Sequence, residues 1–355
     1  MKTHNKTRFF ILCILLTAGL LFSIILAISI GSSKLPFHTV YEILQDQLFF
    51  HGAGLEAGAY EAAPYHVVWD IRLPRVLFGL LCGSGLAICG AVMQSIVLNP
   101  IADPYILGIS SGASAGAAWA LLMPLPFFAG QYQVTVTAMI GALAASLIVY
   151  SMAKLGNHGQ IKPVTLLLSG TAVNAVMSAI TSLLIFLAKS PESIAAVYNW
   201  QMGSIASAQW STLPFPAIGV GVGVIIFTLC GKWLNLLMMG DEDAMSMGLP
   251  VKKFRTAMFI LCSIVVASLV SVTGIIGFVG LTIPHIVRML CGSSNNSQVV
   301  PLSALLGGIF LIWADAAARG LFGGAELPLG IITAFIGAPF FMYLLIRKNY
   351  GGTGN

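Results

Sequence analysis

Charge is what this 355-residue chain lacks most: Asp, Glu, Lys and Arg together make up 8% of it, against roughly a quarter in an ordinary soluble domain. With 57% hydrophobic residues, that scarcity excludes a surface wetted on all sides. The apolar runs recur with short breaks, which is the pattern of a polytopic membrane protein. The formal charge of +5 therefore carries no implication of nucleic acid; in such a chain the placement of charge matters more than its sum. Also missing is G-x-x-x-x-G-K-[ST], so the chain is not expected to hydrolyse ATP itself. There is no H-E-x-x-H and no triad pattern, and the six histidines are scattered among loops and helix ends, so neither a catalytic site nor a metal site is expected. The six cysteines show no C-x-x-C spacing and lie in or beside apolar runs, where they read as small packing residues.

What is present is an all-α pattern. Ten spans are expected, near 9–30, 73–97, 104–123, 134–154, 164–188, 213–231, 255–273, 275–290, 301–319 and 327–346. The first has a basic start at Lys2, Lys6 and Arg8, but its apolar region runs from Phe9 to Ile30, too long for the h-region of a signal peptide. The seventh and eighth are separated only by "TGIIG". With the N-terminus inside, Lys2, Lys6, Arg8, Lys154, Lys162, Lys232, Lys252, Lys253, Arg255, Arg288, Arg347 and Lys348 are cytoplasmic; Lys34, Arg72, Arg75, Lys189 and Arg319 are outside. Twelve against five of the 17 basic residues is the bias the positive-inside rule requires. Both termini are then cytoplasmic, and no separate soluble domain is expected within 1–355.

Between spans, residues 31–71 form the largest outer segment, with "TVYEILQDQLFF" as a short surface helix and the following "HGAGLEAGAYEAAP" as loop. The tail "NYGGTGN" is expected to be flexible. Gly108, Gly112 and Gly116 repeat every four positions, and Gly274, Gly277 and Gly280 every three; small residues at such spacing allow close helix packing in lipid. Asn99-Pro100 ends the second span, and Asp103-Pro104 starts the third as N-cap and first helical residue. The largest inner segment, 232–254, contains "MMGDEDAMSMGLPVKK". Acids ahead of bases suit a helix dipole, so a short helix from Asp241 to Met247 is expected between Gly240 and Gly248. Met238, Met239, Met245 and Met247 give it flexible apolar contacts suited to a partner groove. Asp315 and Arg319 can pair at i,i+4, either as a structural ion pair or in a substrate role. Arg72 and Arg75 flank Pro74 at the outer mouth of the second span, where Pro74 fits a first helical turn and snorkelling alone would account for either arginine.

Taken together, "RLPRVLFGLLCGSGLAICGAVMQSIVLNPIADPYILGISSGASAG", "VYNWQMGS", "LNLLMMGDEDAMSMGLP", "GIIGFVGLTIPHIVRML" and the run from Pro301 to Leu345 resemble the FecCD-type permease family, the membrane subunits of ATP-driven importers of ferric siderophores, haem and vitamin B12. The resemblance covers most of residues 69–347. It implies a type II ABC importer permease of ten helices in a bacterial inner membrane, paired with a second, identical or different, permease subunit. It also implies two cytoplasmic ATPases, which bind the ATP and Mg, and a periplasmic or lipoprotein solute-binding protein; the chain itself binds no cofactor. By resemblance, Gly240, Asp241, Glu242, Asp243, Ala244, Met245, Met247, Gly248, Leu249 and Pro250 couple to the ATPase. Asn99 and Ile101, with Pro163, Val164 and Thr165, form the inner gate, although Pro163-Val164 stands where relatives can have small hydroxyl residues. The fifth span and "NWQMGSIASAQ" line the path, and Arg72, Arg75 and Arg319 meet acidic residues of the binding protein.

The function expected is import by alternating access, with ferric siderophore as cargo and haem, vitamin B12 or another chelate open. An ion-coupled secondary transporter would instead carry ionisable groups near the bilayer midplane, and a membrane enzyme would carry a clustered acid–base, nucleophile or metal set.

Overall fold

The computed structural model describes residues 2–31, 35–50, 52–56, 58, 60–123, 132–156, 162–321 and 326–347. Lys34, Lys348 and the tail 349–355 lie outside them. The described elements, apart from two short turns, are the α-helices α1 (Lys2–Ser29), α2 (Phe37–Phe50), α3 (Ala53–Glu56), α4 (Ala62–His66), α5 (Leu73–Ile96), α6 (Ile109–Leu122), α7 (Gln133–Leu155), α8 (Pro163–Phe186), α9 (Pro191–Gln201), α10 (Pro214–Leu229), α11 (Gly231–Leu237), α12 (Asp241–Ser246), α13 (Val251–Thr273), α14 (Val279–Cys291), α15 (Asn296–Gly320) and α16 (Leu329–Arg347). Six helices are long and apolar enough to cross a membrane. α10 with α11 makes a seventh such span, bent by 62°, and α6, α14 and the described part of α16 are shorter apolar helices. Each of the ten expected spans coincides with one of these.

Helices that are apolar on most faces gain little from burying apolar surface against each other in lipid, so close packing must hold them. The small residues supply it. A methyl group built on Gly112 of α6 would lie 2.3 Å from the Gly141 carbonyl oxygen of α7, and one built on Gly116 would lie 2.1 Å from that of Thr137. Gly90 of α5 is seated in the same way against the Gly280 backbone of α14. The expected glycine rows are only partly helical faces. Gly108 has φ 77° and caps α6 from outside it, because a 3-10 turn, Pro104–Leu107, comes first with Asp103 as its cap. Gly274 ends α13 and Gly277 lies in the connection to α14; of that row only Gly280 is helical.

Around α5 the structure departs from expectation more strongly. The second span does not begin at Pro74. One helical run of 35 residues, Ala62–Ile96, passes through a π-turn at Val67–Arg72. Pro74 has no N–H to donate, and a wide turn just before it re-aims the side chains at the helix entrance. The expected outer loop thus holds α3 and α4. α5 is the centre of the bundle: nearly all its residues are buried, packed by α15, α14, α13 and α10.

Candidate functional site

Contacts sort the helix ends into two groups. At one end lie the end of α5, α12 and the starts of α13 and α15. α12 forms between Gly240 (φ 115°) and Gly248 (φ 89°), backbone angles that favour glycine. Its three acids occupy its first turn, and Ala244 and Leu249 turn inward while Met238, Met239, Met245 and Met247 are exposed. Asp241 accepts a two-pronged ion pair from Arg255, at 2.7 and 2.8 Å. The Arg255 guanidinium holds the Asp241 carboxyl below its usual range. The Nε of Arg255 also donates to the Ile96 carbonyl at 3.0 Å, where α5 ends. In the turn that follows, Leu98 has φ 53°, and the Asn99 side chain accepts from the Ile101 N–H. Asn99 lines an 810 Å³ recess with Gln94, His285 and Arg288. Pro163 and Thr165 lie half-buried, and Val164 exposed, in the first turn of α8.

Deeper in the bundle four backbone breaks converge. Ser204 N–H donates to the Thr273 carbonyl (2.7 Å), and the N–H groups of Leu329 and Gly330 donate to Gly203 and Met202 (2.9 and 3.1 Å). Ile276 N–H donates to the Tyr105 hydroxyl at 3.3 Å. Irregular backbone is tolerated at membrane depth only where protein or a water-filled cavity satisfies it, and here the breaks satisfy one another. Two grooves, of about 680 and 660 Å³, flank this junction and share Gln201, Ile275, Gly277 and Phe278. Phe278 adopts φ 68° as the cap of α14, a rare conformation for a bulky residue. The first groove presents hydroxyl and amide groups among apolar residues, with one carboxylate, Asp103: Ser111 donates to Asn174 (2.6 Å) and Gln201 donates to Ser114 (2.7 Å), with Ser178, Thr181 and Tyr198 alongside. The second is mainly apolar, with α16 supplying its other wall through residues such as Ile331, Phe335 and Met342. Among the described residues no Lys or Arg lines either groove.

At the opposite end Arg72, Arg75 and Arg319 come together, but not as free surface charges. They are 4%, 6% and 7% exposed. Arg75 and Arg319 each bond one oxygen of the buried Asp315 at 2.9 Å. Arg75 also reaches Glu326 at 3.0 Å. Arg72 donates to the carbonyls of Ile28 and Ser29, and Arg319 to those of Ala27 and Ile30. The last carbonyls of α1 have no partner within their own helix, and two arginines from other helices supply it. Desolvation makes an unpaired guanidinium here too costly, and internal oxygens hold all three. Asp315 is a structural ion-pair centre. Three guanidiniums against two carboxylates leave this cluster, though not the whole end, with one formal positive charge.

The structure places Gly240–Pro250 in and around α12, Asn99–Ile101 in the turn after α5, and Pro163–Thr165 in the first turn of α8. The sequence reading missed Phe278 and Glu326, and the clamp made by Arg255. The groove-lining face was detectable: Asn174, Ser178, Thr181 and Ser182 recur at helical spacing in an otherwise apolar run. Among the described residues no cluster of His, Cys, Asp and Glu could hold a metal ion, and no two cysteines are bonded.

Comparison with known proteins finds the profile of the FecCD transport family matching residues 19–347. The chain is 37% identical over 294 residues to the hemin transport system permease protein HmuU of Yersinia pestis, covering 82% of this chain and 86% of that one. It is 41% identical over 295 residues to the cobalamin import system permease protein BtuC of Halobacterium salinarum, covering 83% and 77%. A solved structure described as an inward-facing conformation of a metal-chelate type ABC transporter superposes with a TM-score of 0.79 at 28% identity, covering 94% of this chain and 98% of that one.

Proposed function

We propose, from the premise that the chain belongs to the FecCD transport family, that it is the membrane-spanning subunit of an importer carrying a ferric siderophore inward. The family is one of multi-pass permeases of metal-chelate type ABC importers; the cargo, the partners and the orientation are our reading. The observation that carries it is α12, an acidic, methionine-bearing helix offered between two glycines at the end of a bundle that has no phosphate loop of its own. In this reading α12 and its flanks, Gly240 to Pro250, seat in a groove of a cytoplasmic ATPase that binds ATP and Mg. That end is then cytoplasmic, in keeping with the positive-inside rule, and the membrane is the bacterial inner membrane.

The two grooves form one wall of the path. α8 and α16, which border them, present broad exposed apolar faces, so a second permease subunit closes the path from the other side. Hydroxyl and amide groups, one carboxylate at Asp103 and no described cation suit an oxygen-rich chelate that must pass without being held tightly. Asn99, Ile101 and the start of α8 act as the inner gate. A solute-binding protein docks at the arginine end, on the surface that Arg72, Arg75 and Arg319 underlie, with the half-exposed Glu326 at its rim. The test is the ligand that co-purifies with the cognate binding protein, followed by its ATP-dependent uptake. A ferric siderophore supports the cargo assigned, haem or a cobalamin replaces it, and uptake without any ATPase refutes the importer.

A further inference from the structure

We infer that Arg255 is the positioning residue that transmits displacement of α12 to the turn that closes α5. This rests on the reading of α12 as the element the ATPase moves. Arg255 is the fifth residue of α13 and is 2% exposed. Its guanidinium engages both carboxylate oxygens of Asp241, at 2.8 Å from Nη1 and 2.7 Å from Nη2. Its Nε donates to the Ile96 carbonyl at 3.0 Å. A planar fork bonded at both prongs fixes orientation as well as distance. A shift of Asp241 therefore rotates the guanidinium and pulls on the end of α5.

The surroundings fit a lever. α12 is hung between Gly240 and Gly248, where no atom stands within 4 Å of an added methyl group, so its two hinges are not packed against neighbouring elements. The clamp is the one ion pair of α12 among the described residues. Two residues beyond Ile96, Leu98 sits at φ 53°, a strained conformation of the kind found at switch points. Asn99 N–H donates to the Gln94 carbonyl at 3.1 Å, and the Gln94 side chain donates to the carbonyls of Gly280 and Leu281 at 3.3 Å. That step ends beside Phe278 on the groove wall. A connected chain of bonds is not itself proof of coupling, so the test must read coupling.

The complete complex, with ATPase and binding protein, is placed in proteoliposomes, and uptake and ATP hydrolysis are measured together. Arg255→Gln is expected to assemble and keep basal hydrolysis within about twofold while uptake falls tenfold or more, so that ATP spent per molecule imported rises. Arg255→Lys keeps the charge but loses the fork, and should fall between. Asp241→Asn should raise the same ratio, and Asp241→Asn with Arg255→Gln should be no worse than Arg255→Gln alone. Parallel loss of uptake, hydrolysis and assembly in every variant marks a merely structural role and overturns the inference. An unchanged ratio in Asp241→Asn overturns it even where Arg255→Gln does not assemble. Absence of ATP-driven uptake by the wild-type complex overturns the importer reading, and the inference with it; wild-type uptake retained in Arg255→Gln overturns the inference alone.

Discussion

Gly83 of α5 and Gly307 of α15 meet backbone to backbone: a methyl group built on Gly83 would lie 2.0 Å from the Gly307 carbonyl oxygen, and one built on Gly307 would lie 2.3 Å from that of Gly83. Backbone, unlike a flexible side chain, cannot step aside, so any side chain here separates the two helices. Gly83→Ala is expected to destabilise the protein by about 1–3 kcal/mol or more. Gly221→Ala in α10, where no atom lies within 4 Å of the added methyl, should change stability by no more than about 0.5 kcal/mol. Thermal unfolding of the two purified variants in one detergent makes the comparison; equal losses would show that the contact does not hold the helices together.

Asp315 neutralises two arginines at once. Asp315→Asn keeps the shape but leaves Arg75 and Arg319 facing a neutral group in a buried site. Removing one partner of such a set costs about 3–5 kcal/mol. Glu326→Gln acts at the half-exposed rim, where pairs contribute about 1 kcal/mol or less. Unfolding temperatures should separate the two variants clearly. If Asp315→Asn behaves like Glu326→Gln, the buried cluster does not anchor α1 to the bundle.

Much of this arrangement is legible in the chain and some of it is not, for physical reasons. Ten apolar runs and the basic bias locate the helices because a bilayer allows few alternatives. α12 follows from glycines, acids and bases in local order. The break at Gly274 to Phe278 is only hinted at by "TGIIG", because its partners lie far away in sequence: Tyr105 accepts from the Ile276 N–H, and Gly274 packs against Trp200 and Gly203. The pairing of Arg75 with Asp315 spans 240 positions, and no local pattern announces it. Arginines that look exposed by position are buried because internal carbonyls and Asp315, distant in sequence, receive them.

Phe278 and Gly337 share one space. A methyl on Gly337 would stand 2.3 Å from the Phe278 Cβ. Gly337→Ala should therefore disturb the wall between the two grooves and destabilise the protein by about 1–3 kcal/mol. Phe278→Gly removes that Cβ and suits the left-handed backbone, so it should rescue part of the loss in the double variant. A non-additive cycle, read by unfolding and by uptake, is the expected result; strict additivity would separate the two residues.

The Asp241 carboxyl is held below its ordinary value of 3.8 mainly by the hydrogen bonds from Arg255, against opposing desolvation. A depressed folded value means that the stabilisation is complete above the ordinary value and is lost as pH falls through the depressed one. The difference in unfolding temperature between wild type and Asp241→Asn should be flat from about pH 8 to about pH 5 and shrink below about pH 4. A difference that grows on acidification would show that the pair does not govern this carboxyl.

The central claim is that this chain supplies the path and a separate ATPase supplies the energy through α12. Uptake by proteoliposomes holding the chain, its ATPase and its binding protein tests it most directly, with Asp241, Glu242 and Gly248 replaced together in a matched sample. Accumulation that requires ATP in the native complex and disappears in the variant, together with loss of the bound ATPase, is the result expected. Accumulation driven by an ion gradient with the ATPase left out, or undiminished in the variant, would contradict the account.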